Sequence, residues 1–214
     1  MPLFVLDKEI SFPPVNLAEP DGMLALGGDL SVDRLLEAYK KGIFPWYQGE
    51  HIIWWCPDPR FVLFPDELKI SKAVCSIINK NEMEFTMNKA FAKVIRHCKE
   101  ISRPGQQGTW ITDEVEDAYY IMHELGYAVS AEAWINNELI GGLYGIQLGN
   151  IFFGESMFSL VSNASRFAFV RFILGSQLKL IDCQVYTPYL ESFGARMIPR
   201  EEFIALLDQN LAPK

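Results

Sequence analysis

Three β-rich runs follow one another with almost nothing between them: Ala128–Ile135, Leu139–Leu148 and Ile151–Met157. The spacers Asn136-Asn137 and Gly149-Asn150 are two-residue loops built from residues that tolerate positive φ. Loops this short join antiparallel neighbours, because a parallel pair needs a crossover of a dozen or more residues. The spacing predicts an antiparallel meander, and the rest of the chain has to pack around it.

On the N-terminal side, strands are expected near Phe61–Phe64 and Glu84–Met87, and helices near Ser71–Asn79, Asn88–Ile101 and Thr112–Leu125. "RPGQQG" reads as a loop. On the C-terminal side come a helix at Asn163–Leu178, a strand at Leu180–Val185, a short helix, a strand and a terminal helix at Arg200–Gln209. Residues 1–60 differ in texture. They are rich in Pro and Gly and hold one clear helix, "SVDRLLEAYKKG". Ser31 is suited to cap it, Asp33 and Lys40 suit its dipole, and Gly42 ends it. "PDP" at 57–59 marks a boundary. The expectation is a small N-terminal domain, 1–60, and a larger one, 61–214. Meander, long helix and strand in that order resemble the acetyltransferase-like (GNAT-like) α+β fold, an antiparallel-rich sheet flanked by helices. Those enzymes cradle pyrophosphate on a glycine-rich turn. Here the corresponding "SLVSNASRF" has no glycine, so an acyl-CoA donor is not expected.

Bulk chemistry narrows the function classes. Half of the 214 residues are apolar, enough for a sizeable core. "MPLFVLDKEI" lacks the features of an export signal, and no run of about 18 apolar residues predicts a membrane span. Cys56, Cys75, Cys98 and Cys183 form no C-x-x-C pair, and His51, His97 and His123 are isolated. Reduced thiols, a cytoplasmic location and no metal are expected. A net charge of −8 argues against wrapping nucleic acid. The segment from Lys69 to Arg103 nevertheless carries +5, against −13 elsewhere. Lys89, Lys93, Arg96, Lys99 and Arg103 fall along one helical face, either a solvated surface or a small phosphate-facing patch.

Within the meander, "FFGESMFS" places Glu155 in a run that otherwise reads as buried strand. A lone buried carboxylate is costly, so either protein groups satisfy it or a cation arrives from outside. In "LIDCQV", Asp182 and Gln184 share one face of a regular strand, with Cys183 opposite. An acid beside an amide suits aminolysis, where developing charge needs donors and an amine needs orientation. The same spacing suits a buried structural pair. Trp46, Trp54, Trp55 and Trp110 are either core plugs or base-stacking surfaces.

Taken together, "GMLALGGDLS" (22–31), "GIFPW" (42–46), "WWCPDPR" (54–60), "GTWIT" (108–112), "FFGESMFS" (152–159) and "LIDCQV" (180–185) resemble the leucyl/phenylalanyl-tRNA–protein transferases over nearly the whole chain. The resemblance implies transfer of Leu, Phe or Met from aminoacyl-tRNA to proteins with N-terminal Arg or Lys, creating an N-end rule degradation signal. No cofactor or metal is implied, and a monomer is expected. Carried over by position, Asp182 and Gln184 are the catalytic pair, and Trp46 and Trp110 hold the terminal adenosine. Leu143, Phe152, Met157, Phe172 and Ile181 form the pocket for the aminoacyl side chain. Glu155 stands near the reacting amine, left unpaired by protein so that an incoming cation can pair with it. Thr187 and Tyr189 stand where the family often has Asn and His. Two alternatives stand beside it: a non-enzymatic receptor for basic N-termini, needing Glu155 but not the Asp182–Gln184 pair, and a tRNA-dependent aminoacyl transferase acting on another amine.

Overall fold

In a computed structural model that describes residues 4–101 and 109–211, the elements run in chain order as follows. The N-terminal part holds β1 (Phe4–Leu6), β2 (Met23–Gly27), α1 (Val32–Lys40), β3 (Phe44–Pro45) and β4 (Ile53–Trp55). The middle holds β5 (Arg60–Leu63), α2 (Lys72–Asn79), β6 (Glu84–Met87), α3 (Phe91–Glu100) and α4 (Asp113–Glu124). Then come β7 (Ala128–Ile135), β8 (Glu138–Leu148), β9 (Ile151–Ser159), α5 (Ala164–Leu174), β10 (Leu180–Asp182), α6 (Pro188–Glu191), β11 (Arg196–Ile198) and α7 (Arg200–Asn210). The described residues thus form a mixed α+β protein with two sheets and seven α-helices. The expected loop "RPGQQG", 103–108, lies outside the described residues.

The first sheet has the order β1-β2-β4-β3 and the second β11-β5-β10-β9-β8-β7-β6. The meander forms as the spacing requires. Asn136 and Asn137 both take left-handed φ, 50° and 64°, so the β7–β8 turn has the twist a two-residue hairpin needs. Cap chemistry places the helices: Ser31 accepts from the Arg34 amide, Ser71 from Val74 and Thr112 from Val115. Two expected boundaries shift for local reasons. Asn88 at φ 56° turns the chain after β6, so α3 starts at Phe91 rather than Asn88. Gln184 at φ 62° stops the last central strand at Asp182 rather than Val185.

The large sheet is buried on both faces. Leu143, Phe152 and Ile181 pack toward α5 and α2 on one side. Tyr144, Phe153 and Phe158 pack toward α3 and α4 on the other, in a core that continues into the N-terminal sheet and α7. Strands covered on both faces read as near-continuous apolar runs, as β8 does. Phe152 and Met157 share a face although five positions apart, because β9 carries a bulge. Tyr144 pairs with Ser156 and Gly145 with Gly154, so Glu155 has no residue opposite and its side chain is re-aimed. No described helix is long and apolar enough to cross a membrane.

Candidate active site

The sheet opens where β10 stops. Asp182 pairs with Phe153, and β9 runs on to Ser159 paired with β8. A cavity of about 630 Å³ fills this gap. Phe44, Pro45 and Trp46 close it from the N-terminal sheet, and α5 and the segment leading into α6 from the other side. One wall is apolar: Leu143, Phe152, Met157, Phe169 and Ile181. Another is polar: Glu155, Asp182 and Gln184, with Thr187 and Tyr189 nearby.

Asp182 is fully buried and accepts two bonds from Arg60, Nε to Oδ1 at 2.8 Å and Nη2 to Oδ2 at 2.6 Å. The Arg60 guanidinium lies between the rings of Phe44 and Phe203, 4.7 and 4.6 Å from their centroids. These two bonds offset part of the cost of burying the charges, while Arg60 Nη1 is buried with no hydrogen-bond partner among the described residues. The expectation that Asp182 and Gln184 share a strand face fails. The strand has already ended, and Gln184 sits in the left-handed region. Asp182 Oδ1 accepts the Gln184 backbone N–H at 2.9 Å, so the acid fixes the turn rather than the side-chain amide. The amide itself donates from Nε2 to Glu155 Oε1 at 3.0 Å.

Glu155 is not left unpaired by protein. Tyr39 Oη donates to its Oε1 at 2.7 Å; Tyr119 Oη stands 3.3 Å from its Oε2 and also within hydrogen-bond distance of Tyr39 Oη, so the two phenol protons serve two of these three contacts at a time. These donors come from α1 and α4, on the far side of the sheet from α5. Burial pushes the Glu155 carboxyl up to about 8, the Asp182 charge adds to that, and the donated hydrogen bonds oppose it. Burial, then the neighbouring carboxyl of Glu155, drive the Tyr39 and Tyr119 phenols well above their ordinary range.

Trp46 and Trp110 both line the cavity, Trp46 exposed and Trp110 nearly covered. The Trp55 indole N–H donates to the Trp46 carbonyl at 2.6 Å and steadies that loop. Trp54 is a core residue, its indole N–H held by the Gly27 carbonyl. Leu143, Phe152, Met157 and Ile181 line the cavity as expected, but Phe172 does not. It is buried behind Phe152, ring to ring at 4.7 Å, and Phe169 takes the lining position. α5 has buried residues around most of its circumference, Phe169 and Phe172 both among them, so periodicity could not choose between the two phenylalanines.

The basic stripe is partly spent within the protein. Arg96 donates to Glu116 at 2.8 Å, and Lys99 bonds both Glu116 and Asp113, all on α4. The ammonium of Lys89 lies 4.9 Å from the centroid of the Trp134 ring. The phosphate-facing patch is therefore smaller than the sequence suggests, and Arg103 lies outside the described residues.

Residues 62–208 match the family described as leucyl/phenylalanyl-tRNA protein transferase, and residues 28–58 match its N-terminal domain. The chain belongs to that family. A curated leucyl/phenylalanyl-tRNA–protein transferase of Syntrophus aciditrophicus is 57% identical over 217 residues, covering 99% of this chain and 90% of the relative. One from Flavobacterium johnsoniae is 53% identical over 209 residues, covering 96% and 99%. A solved conserved protein of unknown function from Staphylococcus epidermidis covers 83% of this chain and 68% of its own at 11% identity, with a TM-score of 0.44. Membership in the leucyl/phenylalanyl-tRNA–protein transferases bears out the resemblance read from the motifs, and with it the expectation of a tRNA-dependent aminoacyl transferase.

Sequence reasoning missed Arg60, Tyr39, Tyr119 and Phe169. Arg60 did leave a signal: a charged residue heading the otherwise apolar "RFVLF" directly after "PDP". Tyr39 is on the buried face of an amphipathic helix and reads there as plain core.

Proposed function

We propose that this chain moves a leucyl, phenylalanyl or methionyl group from its tRNA to the N-terminal Arg or Lys of an acceptor protein, and that the reaction runs in the cavity at the end of β10. One observation carries the reading: an apolar wall and the Glu155–Asp182–Gln184 cluster share a single cavity. The aminoacyl side chain enters the apolar part, where Leu143, Phe152, Met157 and Ile181 leave room for groups unbranched at Cβ. The terminal adenosine lies against Trp46 and Trp110. The acceptor's N-terminus approaches Glu155, and Gln184 supplies an N–H donor beside it. Arg60 and Phe172 support the site from behind.

The ester between amino acid and ribose is already activated, so conversion to an amide runs downhill without a cofactor. What remains is to hold amine and carbonyl in attack geometry and offer donors to the tetrahedral oxyanion. The product would mark its protein for N-end rule degradation in the cytoplasm, and the enzyme would act as a monomer. The GNAT-like assignment belongs to the same reading. Its support is the antiparallel run β6-β7-β8-β9, the crossover helix α5, and β10 laid parallel to β9. So does the division at residue 60 into a small N-terminal unit and a transfer unit.

The test mixes Leu-tRNA or Phe-tRNA with a peptide beginning in Arg and follows the new N-terminal peptide bond by mass. Transfer by the unmodified protein, lost in Gln184→Ala, supports the proposal. Peptide binding without transfer would indicate a receptor instead. Charge makes a second prediction. With Arg96 and Lys99 engaged by α4, few cations on α3 remain for phosphates. Raising salt from about 50 to about 200 mM should weaken tRNA binding only about 10- to 40-fold, whereas 6–10 phosphate contacts would lose about 10³–10⁵. A filter-binding series across that range decides it.

A further inference from the structure

An amine attacking an ester must shed a proton, and three groups of the polar wall could receive it. Asp182 has both oxygens engaged by Arg60 at 2.8 and 2.6 Å, and a proton on either would break a buried ion pair. Gln184 has an amide, which is no base in water's pH range, and its Nε2 is already donating. Glu155 is different. It lines the cavity, stands on a bulge that re-aims it, and is partly open there rather than sealed. The groups within hydrogen-bond distance of its carboxyl, Tyr39, Tyr119 and Gln184, are all neutral.

We infer that Glu155 is the proton acceptor for the attacking α-amine, with Tyr39 and Tyr119 as positioning residues that aim its carboxylate. The inference rests on the proposed function. The α-ammonium gives one proton to the Glu155 carboxylate. The freed lone pair forms the C–N bond, and the ester C–O bond breaks. The second proton on nitrogen ends on the departing ribose oxygen, and the Glu155 acid returns its proton to solvent as product leaves. An entering cation favours the carboxylate that this step needs.

The surroundings fit. Asp182 faces Glu155 from β10, with Arg60 on β5 behind it. Tyr39 faces it from α1, Tyr119 from α4, and Gln184 from the turn after β10. Burial and the Asp182 charge hold the carboxyl near 8, close to the value of about 8 for an α-amino group. Proton exchange between two such matched groups costs little in either direction, the condition under which a general base works best.

The experiment measures kcat and the peptide KM between pH 6.5 and 9 with Arg-initiated peptide and charged tRNA. Glu155→Gln should lower kcat about 10²-fold or more at pH 7, within the usual range for a lost general base. Its KM should change less than about fivefold. The deficit should shrink to within about tenfold by pH 9, where the amine (pKa about 8) is free unaided. Glu155→Asp, which retains a carboxyl, should recover part of kcat at pH 7. In the Tyr39→Phe, Tyr119→Phe double variant, removing donors raises the carboxyl's pKa, so the rising limb of kcat should move to higher pH. A Gln deficit that is independent of pH, lies in KM and is confined to Arg and Lys N-termini would overturn the inference: Glu155 would then only attract side-chain charge. Wild-type kcat in Glu155→Gln at pH 7 would overturn it as well. Absence of transfer by the unmodified protein would instead defeat the functional reading beneath it.

Discussion

Asp182→Ala should cost the protein its fold margin as well as its activity. The substitution strands a guanidinium with no solvent exposure and no counter-charge, between Phe44 and Phe203. Removing one partner of a buried pair costs about 3–5 kcal/mol. For a chain of this size that is a fall in Tm of about 6–20 °C. The pair Arg60→Met with Asp182→Leu separates the two roles. Replacing both charges by apolar groups of similar bulk is often neutral for stability, so the double variant should melt close to the parent. Transfer should not return, because the Gln184 backbone N–H loses the Asp182 oxygen that holds its turn. A double variant that regained both would show that the ion pair is only a structural plug. Thermal melts followed by circular dichroism, beside the transfer assay, distinguish the outcomes.

Gly145→Ala should be among the most damaging single methyl groups in the molecule. Its Cβ would stand 2.1 Å from the Phe153 carbonyl oxygen and 2.6 Å from the Phe152 ring. The obstacle is the partner strand's own backbone, which cannot swing aside as a side chain can. Overpacking of ordinary kind costs about 1–3 kcal/mol; a clash with backbone should exceed that. The expected result is a Tm lowered by about 10 °C or more, or loss of soluble protein. Gly154, paired with Gly145 across the bulge, is the control. A Cβ there meets the Asp182 carbonyl oxygen at 3.5 Å and Phe152 at 3.7 Å, ordinary contact distances. Gly154→Ala should fold, and because Gly154 lines the cavity it should alter transfer more than stability. Equal stabilities for the two variants would refute the β8–β9 register in which Gly145 faces Gly154.

The contrast between these glycines shows why part of the site is legible in the sequence and part is not. Strands β6 and β7 have the bounds that the sequence predicts, because alternation and turn residues act over a few neighbours. Motif resemblance selects Leu143, Phe152, Met157 and Ile181, and the cavity brings them together. It misplaces Phe172 because helix α5 is buried around most of its circumference, and only packing tells a lining residue from one behind it. A shared strand face for Asp182 and Gln184 follows from a period that holds only while the strand continues; a left-handed Gln184 ends it. The basic stripe is sound as geometry, but its acidic partners, Asp113 and Glu116, lie on the next helix.

By itself, then, the sequence determined the order of elements, the hairpins, the caps and the family, since each rests on residues close together in the chain or on contiguous motifs. Tertiary structure alone decided the chemical state of the site. Arg60 reaches Asp182 from 122 positions away, and Tyr39 reaches Glu155 from 116. A carboxyl's willingness to hold a proton depends on how much water it loses and which donors replace that water. Both are supplied by segments that only folding brings near.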